Sequence, residues 1–375
     1  MPRGGRGLLA RPAGRVAGST GRSGTELPDR PVRHGRDAGG DPRNLRRPAG
    51  TRADGGADLE RAGVMNEQTP YSSEATPSAR GCILRPGNTN CGGCGMSVGL
   101  QLLDRALDGD AVTLCIPACC GIVTAGGYPS TAYGVPTVAT TFASSPAVAS
   151  GIRSVQQLNG DPGLTLCWAG DGGTYDIGVA TLSAAAERGE DLIYLCYDNE
   201  IYGNTGGQRS SATPAGAVTS TTPGGKGEEK KDIMAIMVAH RVPYAATISV
   251  AHPEDALRKL RYARGVRGFR FFLILSPCPT GWKSEPGESV ELVRAAVRCG
   301  LFPVYEVFDG RRYRINVRPD GSSPMEYFSR QRRFPAGQLD EEAIRGQIAV
   351  TWDTLDKLAD AFPASEGEGF RSGNP

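Results

Sequence analysis

Five short apolar runs recur through the middle of this chain: AVTLCIP (111–117), LTLCWAG (164–170), DLIYLCYD (191–198), YAATISV (244–250) and FRFFLILS (269–276). None alternates polar with apolar residues, so each needs cover on both faces, as strands of a parallel sheet do. Helical patterns separate them, at 95–107, 145–158, 176–189, 231–240 and 253–264. That alternation predicts an α/β chain with a doubly wound, mostly parallel sheet over residues 80–285. Residues 286–375 are a C-terminal extension: a helix (288–300), a hairpin (304–317) turning at Asp309-Gly310, a helix over 340–362, and a frayed tail from 365.

Two long polar segments, 121–144 and 199–230, interrupt the pattern, and loops of that length in a compact domain are usually functional. Residues 1–64 are different in kind. They hold thirteen Arg against seven Asp or Glu, with no Lys, Ile, Cys or aromatic residue. Nothing there builds a core, so disorder or an over-called start before Met65 is expected. Since the whole chain carries +2, the remainder carries −4 and gives no general case for binding nucleic acid. No apolar run suits a membrane span or a signal peptide. Ten cysteines without a secretory signal point to a reducing compartment, the cytoplasm.

WAGDGGTYDIG (168–178) ends a strand and opens a helix, which places Asp171 just past a strand's carboxyl end between glycines. The next strand ends in YDNEIYGNTGG, with Asn199 28 residues after Asp171, an interval that fits one helical crossover. Ligands of open α/β sheets bind at that edge. A carboxylate, an amide oxygen and a turn carbonyl are the hard ligands Mg²⁺ takes alongside phosphate oxygens. No P-loop or G-x-G-x-x-G run is present.

The cysteines point to the same edge. Cys91 and Cys94 (NCGGCG) open a helix; Cys119 and Cys120 follow the strand 111–117; Cys278 follows the strand 269–276. Four thiolates so placed suit Zn²⁺ or a [4Fe–4S] cluster, and the spacing does not separate these. Cys115, Cys167 and Cys196 are mid-strand and expected in the core. Cys82 and Cys299 carry no assignment. His240 and His252 stand at helix ends as caps, His34 lies in the leading segment, and GKGEEKKD (225–232) reads as a solvated loop.

GDGGTYDIG…YDNEIYGNTGGQRSSATPAGA resembles the thiamine diphosphate motif of the 2-oxoacid:ferredoxin oxidoreductases, in particular the β subunit of pyruvate:ferredoxin oxidoreductase. The likeness runs from CGGCG through YPSTAYGVP, KDIMAIMVAH and SPCPTGW to LFPVYEV. It implies a thiamine diphosphate-binding fold in which Asp171 and Asn199 ligate Mg²⁺ by side chains and Ile201 by its carbonyl. Gly172, Asn204, Thr205 and Gly206 would approach the diphosphate. It also implies a [4Fe–4S] cluster on Cys91, Cys94, Cys278 and one further ligand, Cys120 in preference to Cys119. Asp198-Asn199 stands where relatives often have Asn-Asn, and Thr89-Asn90 where they have a His-containing lead-in.

The implied reaction is CoA-dependent oxidative decarboxylation of a 2-oxoacid, pyruvate first among candidates. The Glu that activates thiamine would come from an α subunit, with γ or δ subunits and ferredoxin or flavodoxin as further partners. GGYPSTAY (126–133) would be this chain's contribution to selectivity. The rival readings are a non-redox thiamine decarboxylase or carboligase, and a zinc-stapled nucleic-acid-binding protein.

Overall fold

The computed structural model describes residues 82–370 except 108 and 128, all within the unit Ser72–Pro375. The expectations for residues 1–64, His34 and Tyr128 lie outside the described residues. Eight strands form one sheet: β1 (Val112–Pro117), β2 (Thr137–Thr140), β3 (Leu164–Gly170), β4 (Ile193–Asp198), β5 (Tyr244–Ser249), β6 (Arg270–Leu275), β7 (Val304–Phe308) and β8 (Arg312–Val317). Their order is β2-β1-β3-β4-β6-β5-β7-β8. The first six are parallel, and β7 and β8 add an antiparallel margin to the same sheet.

Every residue of β4, β5 and β6 is buried, which the unbroken apolar runs demanded. The helices are α1 (Gly95–Ala106), α2 (Cys120–Val123), α3 (Ser145–Leu158), α4 (Val179–Glu187), α5 (Ile233–Ala239), α6 (Pro253–Arg264), α7 (Pro279–Trp282), α8 (Ser289–Arg298), α9 (Met325–Phe328) and α10 (Glu341–Ala361). α1 lies beside α6 and β4, while α3 lies beside α4, β1 and β3. Cys115, Cys167 and Cys196 are fully buried in the sheet.

Two expectations need correction. The polar segment 121–144 contains β2, which pairs Thr137 with Leu114 and Val138 with Cys115. Four half-exposed residues among Pro, Thr and Ser carry too little apolar signal to announce an edge strand. Residues 365–370 do not fray: Arg312 Nε donates to Glu368 Oε1 at 3.0 Å, and the Arg258 guanidinium lies 5.0 Å from the Phe370 ring. Those partners sit dozens of residues upstream, beyond any local pattern.

At the amino ends of β4 and β6, Asp191 gathers three cations. Arg153 Nη2 of α3 stands 2.8 Å from its Oδ2, Arg267 Nη1 3.1 Å, and Arg270 Nη1 meets Oδ1. Burial alone would raise the Asp191 carboxyl, but Arg270 and Arg153 outweigh it and hold the group below the usual carboxylate range. A depressed folded-state value stabilises the protein above the ordinary Asp range and loses that contribution as acid protonates the group. Asp191→Asn should cost about 3 kcal/mol at neutral pH by leaving buried arginines uncompensated. Urea unfolding of the variant and the parent at falling pH should show the gap closing.

Candidate functional site

Parallel β1, β3, β4 and β6 deliver Cys120, Asp171, Asn199 and Cys278 to the same edge. Asp171 follows β3 and enters a single wide turn, Gly172–Asp176, before α4 begins at Val179. Such i→i+5 turns concentrate at functional sites. Thr174 Oγ1 secures the turn by donating to the Gly170 carbonyl at 2.8 Å. Gly172 is closed over by Tyr202, whose ring a Cβ would meet at 2.2 Å. Tyr202 OH in turn donates to Asp176 Oδ2 at 2.7 Å.

The Asn199 carboxamide holds one terminal atom 2.9 Å from Asp171 Oδ1 and 2.6 Å from the Ile201 carbonyl oxygen. With nitrogen inward, the amide donates to both. With oxygen inward, that oxygen accepts from the Ile201 N–H at 3.3 Å, and three acceptor oxygens face one point. A cation makes the second orientation favourable, since it replaces repulsion among oxygens with ligation. Asp171 is buried, and Ser210 Oγ donates to its other oxygen. Burial and the neighbouring Asp198 push its carboxyl well above the usual range, so bare negative charge there is costly. Beyond Ile201, Asn204, Thr205 and Gly206 form an exposed turn, with φ 107° at Gly206 and 85° at Gly207, values that suit glycine.

The cysteines are brought together by backbone contacts. Residues 85–89 run along the stretch after α2, with Thr89 N–H on the Thr124 carbonyl at 2.8 Å and Arg85 N–H on the Ala132 carbonyl at 2.7 Å. Gly95 N–H donates to the Pro277 carbonyl at 2.9 Å, and a Cβ on Gly95 would strike the Pro277 nitrogen at 2.6 Å. Thr280 Oγ1 reaches Cys91 Sγ at 3.7 Å, and Cys278 Sγ accepts from Gly281 N–H at 3.3 Å. Cys91 is exposed, and Cys94, Cys120 and Cys278 are half-buried.

Burial pushes the Cys120 thiol up to about 12, with further contributions from Cys119, Cys278, Cys94 and Cys91. Burial likewise pushes Cys278 up to about 11, with Cys94 and Cys91 adding to it. Burial raises the Cys119 thiol as well, opposed by Tyr197 and by the backbone at Gly121, Ile122 and Gly170. Buried thiols placed this near to one another carry negative charge only if a cationic centre shares it. Among the described residues no three His, Cys, Asp or Glu side chains close on a single ion.

The Asp198–Ile201 turn is clamped by groups that sequence reading missed. Lys230 Nζ pairs with Asp198 Oδ2 at 2.7 Å and Glu200 Oε1 at 3.0 Å. Tyr175 OH donates to Asp198 Oδ2 at 2.7 Å, and Trp282 Nε1 donates to the Asn199 carbonyl at 2.8 Å. GKGEEKKD is therefore not simply a solvated loop. Lys226 is buried, with Nζ on the Thr213 carbonyl at 2.6 Å, and only Gly227–Glu229 and Asp232 are exposed. The available signal was the pair of acids flanking Asn199, which must find cations when buried. His240 and His252 are caps, bonded to Ser183 and Ser249 at 3.1 and 3.0 Å.

Residues 119–274 match the family model described as thiamine pyrophosphate enzyme, C-terminal TPP binding domain. The chain is 43% identical over 291 residues to ketoisovalerate oxidoreductase subunit VorB of Pyrococcus horikoshii, covering 74% of this chain and 93% of that one. It belongs to the thiamine-binding β subunits of the 2-oxoacid:ferredoxin oxidoreductases. This β subunit is also 43% identical over 259 residues to pyruvate synthase subunit PorB of Methanothermobacter marburgensis, covering 67% and 89% of the two chains. It shares its fold with 2-oxoglutarate:ferredoxin oxidoreductase from Magnetococcus marinus, at TM-score 0.50 and 21% identity over 71% of this chain and 94% of that one. No helix among the described residues is long and apolar enough to cross a membrane.

The clamp carries a stability consequence. Lys230→Met leaves Asp198 and Glu200 without the cation they share, at a cost of about 3–5 kcal/mol. Chemical denaturation at neutral pH should show that loss, while Lys230→Arg should retain most of the stability.

Proposed function

We propose that this chain is the thiamine diphosphate-binding subunit of an enzyme that oxidatively decarboxylates a 2-oxoacid to acyl-CoA and CO₂, passing electrons singly to a [4Fe–4S] cluster. The carrying observation is the convergence at one sheet edge of three oxygen ligands, on Asp171, Asn199 and Ile201, with the thiols of Cys91, Cys94, Cys120 and Cys278 close by. Pyruvate is the first substrate in this reading. Ketoisovalerate is the second, since relatives of near-equal identity are named for each acid.

The residues fit the groups they would hold. Asp171 Oδ1, the Asn199 amide oxygen and the Ile201 carbonyl would ligate Mg²⁺, and Gly172 with Asn204, Thr205 and Gly206 would border the diphosphate. The four thiols suit a cuboidal cluster, whose irons occupy separate corners and need their ligands spread wider than one ion does. When bound, thiamine diphosphate supplies a carbon nucleophile and electron sink, and the cluster accepts single electrons. Ser210 orients the Asp171 carboxylate, the Trp282–Asn199 bond fixes the loop, and burial keeps water from the carboxylate. The carboxylate that activates thiamine is assigned to a partner α subunit. Ferredoxin or flavodoxin would take the electrons in a reducing cytoplasm, with γ or δ subunits completing the complex.

Co-expression of the chain with its partner subunits under anaerobic conditions tests this. Iron and sulfide in cluster ratio, and CO₂ release that needs both CoA and an electron acceptor, are the expected results. Zinc in place of iron, or CO₂ release indifferent to CoA and acceptor, would overturn it. Cys120→Ser should lose the iron, whereas Cys119→Ser should retain it, as read by metal analysis and EPR.

A further inference from the structure

Glu200 stands between Asn199 and Ile201 with φ 61°, a left-handed conformation that a residue with a side chain holds only when its surroundings enforce it. That turn is what aims the Asn199 amide and the Ile201 carbonyl at one point. Arg333, from the segment after α9, does much of the enforcing. Its Nη2 donates to Glu200 Oε2 at 2.5 Å, and Tyr327 OH donates to the same oxygen at 3.1 Å. The guanidinium lies 4.6 Å over the Trp282 ring and 5.0 Å over Phe334.

Trp282 links the two halves of the site. Its indole N–H holds the Asn199 carbonyl at 2.8 Å, and its backbone N–H holds the Cys278 carbonyl at 2.7 Å. Arg333 therefore braces the oxygen-bearing turn through Glu200 and the thiol-bearing turn through Trp282. Its own place is set by Nε on Gln331 Oε1 at 2.9 Å and by its carbonyl, which accepts from Val218 N–H at 2.8 Å. The side chain is fully buried, and Nη1 has no hydrogen-bond partner among the described residues. Burying a cation with a spare donor is costly unless its charge is paired. Through the Trp282 ring the charge sits behind the turn that carries Cys278, whose carbonyl the Trp282 backbone N–H holds.

We propose that Arg333 is a positioning residue serving both cofactor sites, holding the Asn199–Ile201 turn in its cation-binding form through Glu200 and setting a buried positive charge behind the Cys278 turn through Trp282. The inference rests on the function proposed above and extends it to a residue outside the matched stretch 119–274.

The test uses the anaerobically purified complex as wild type, Arg333→Lys and Arg333→Met. Two quantities are measured on each: Mg²⁺-dependent thiamine diphosphate binding by calorimetry, and the cluster midpoint potential by an EPR-monitored titration. Arg333→Met should weaken binding about 10–100-fold, the usual effect of removing a group that orients a metal ligand. It should also shift the potential to more negative values, because no positive charge then favours the added electron. Arg333→Lys should keep a potential near wild type but lose part of the affinity, since an ammonium cannot lie flat on Trp282 while reaching Glu200. Wild-type affinity and potential in Arg333→Met would overturn the proposal. So would equal losses of both in the two variants, which would mark a packing role alone. Should Arg333→Met fail to assemble, the Lys variant decides, and unchanged affinity there counts against the proposal. A wild-type complex lacking iron or thiamine binding would instead remove the functional reading, and this inference with it.

Discussion

Six strands running one way leave six carboxyl ends on one edge, and the placement of every group in the site follows from that directionality. The residues that converge there are far apart in sequence, from Cys91 to Arg333, and share no local motif. Antiparallel pairing of β3 with β4 would have sent Asp171 and Asn199 to opposite edges. The parallel register, Leu166 opposite Ile193 through Gly170 opposite Tyr197, ends both strands together. The four residues of β2 and the antiparallel pair β7 and β8 widen the sheet without entering the site.

Charge is the second ordering principle. Asp198 and Glu200 flank Asn199, both buried at the end of a wholly apolar strand, and their ionisation depends on Lys230 and Arg333. Those cations hold Glu200 below the usual carboxylate range against the upward push of burial, while Asp198, with Glu200 adjacent, stays raised. A loop rich in glycine, threonine and serine has little intrinsic preference for one shape. Here the shape is imposed by fixed charges at its ends and by the Trp282 indole.

How much of this was legible in the sequence varied with the range of the forces involved. The unbroken apolar runs located five of the parallel strands to within two residues at either end, because a strand buried on both faces announces itself locally. Helices 145–158 and 253–264 were read to the residue, each with a proline in its first turn. β2 was invisible, being short, half-exposed and held by its neighbour. Asp171, Asn199 and the cysteines stood out through spacing and chemistry. Lys230, Arg333, Tyr327 and Trp282 did not, because an ion pair or hydrogen bond across 30 to 133 residues leaves no periodic trace. Lys230 was further disguised by a run of charge that reads as solvent-facing.

The stretch that matches the thiamine family, 119–274, contains Asp171, Asn199 and Ile201 but stops before Cys278, Trp282 and Arg333 and starts after Cys91 and Cys94. A boundary drawn by homology thus cuts through the working parts. The matched stretch is not portable: excised, it would carry Asp171, Asn199 and Ile201 without the groups that shape their turn, and only Cys120 of the four thiols. Recombination between relatives at either boundary would exchange one side of the site for another lineage's, and part Trp282 from Asn199 or Thr89 from Thr124.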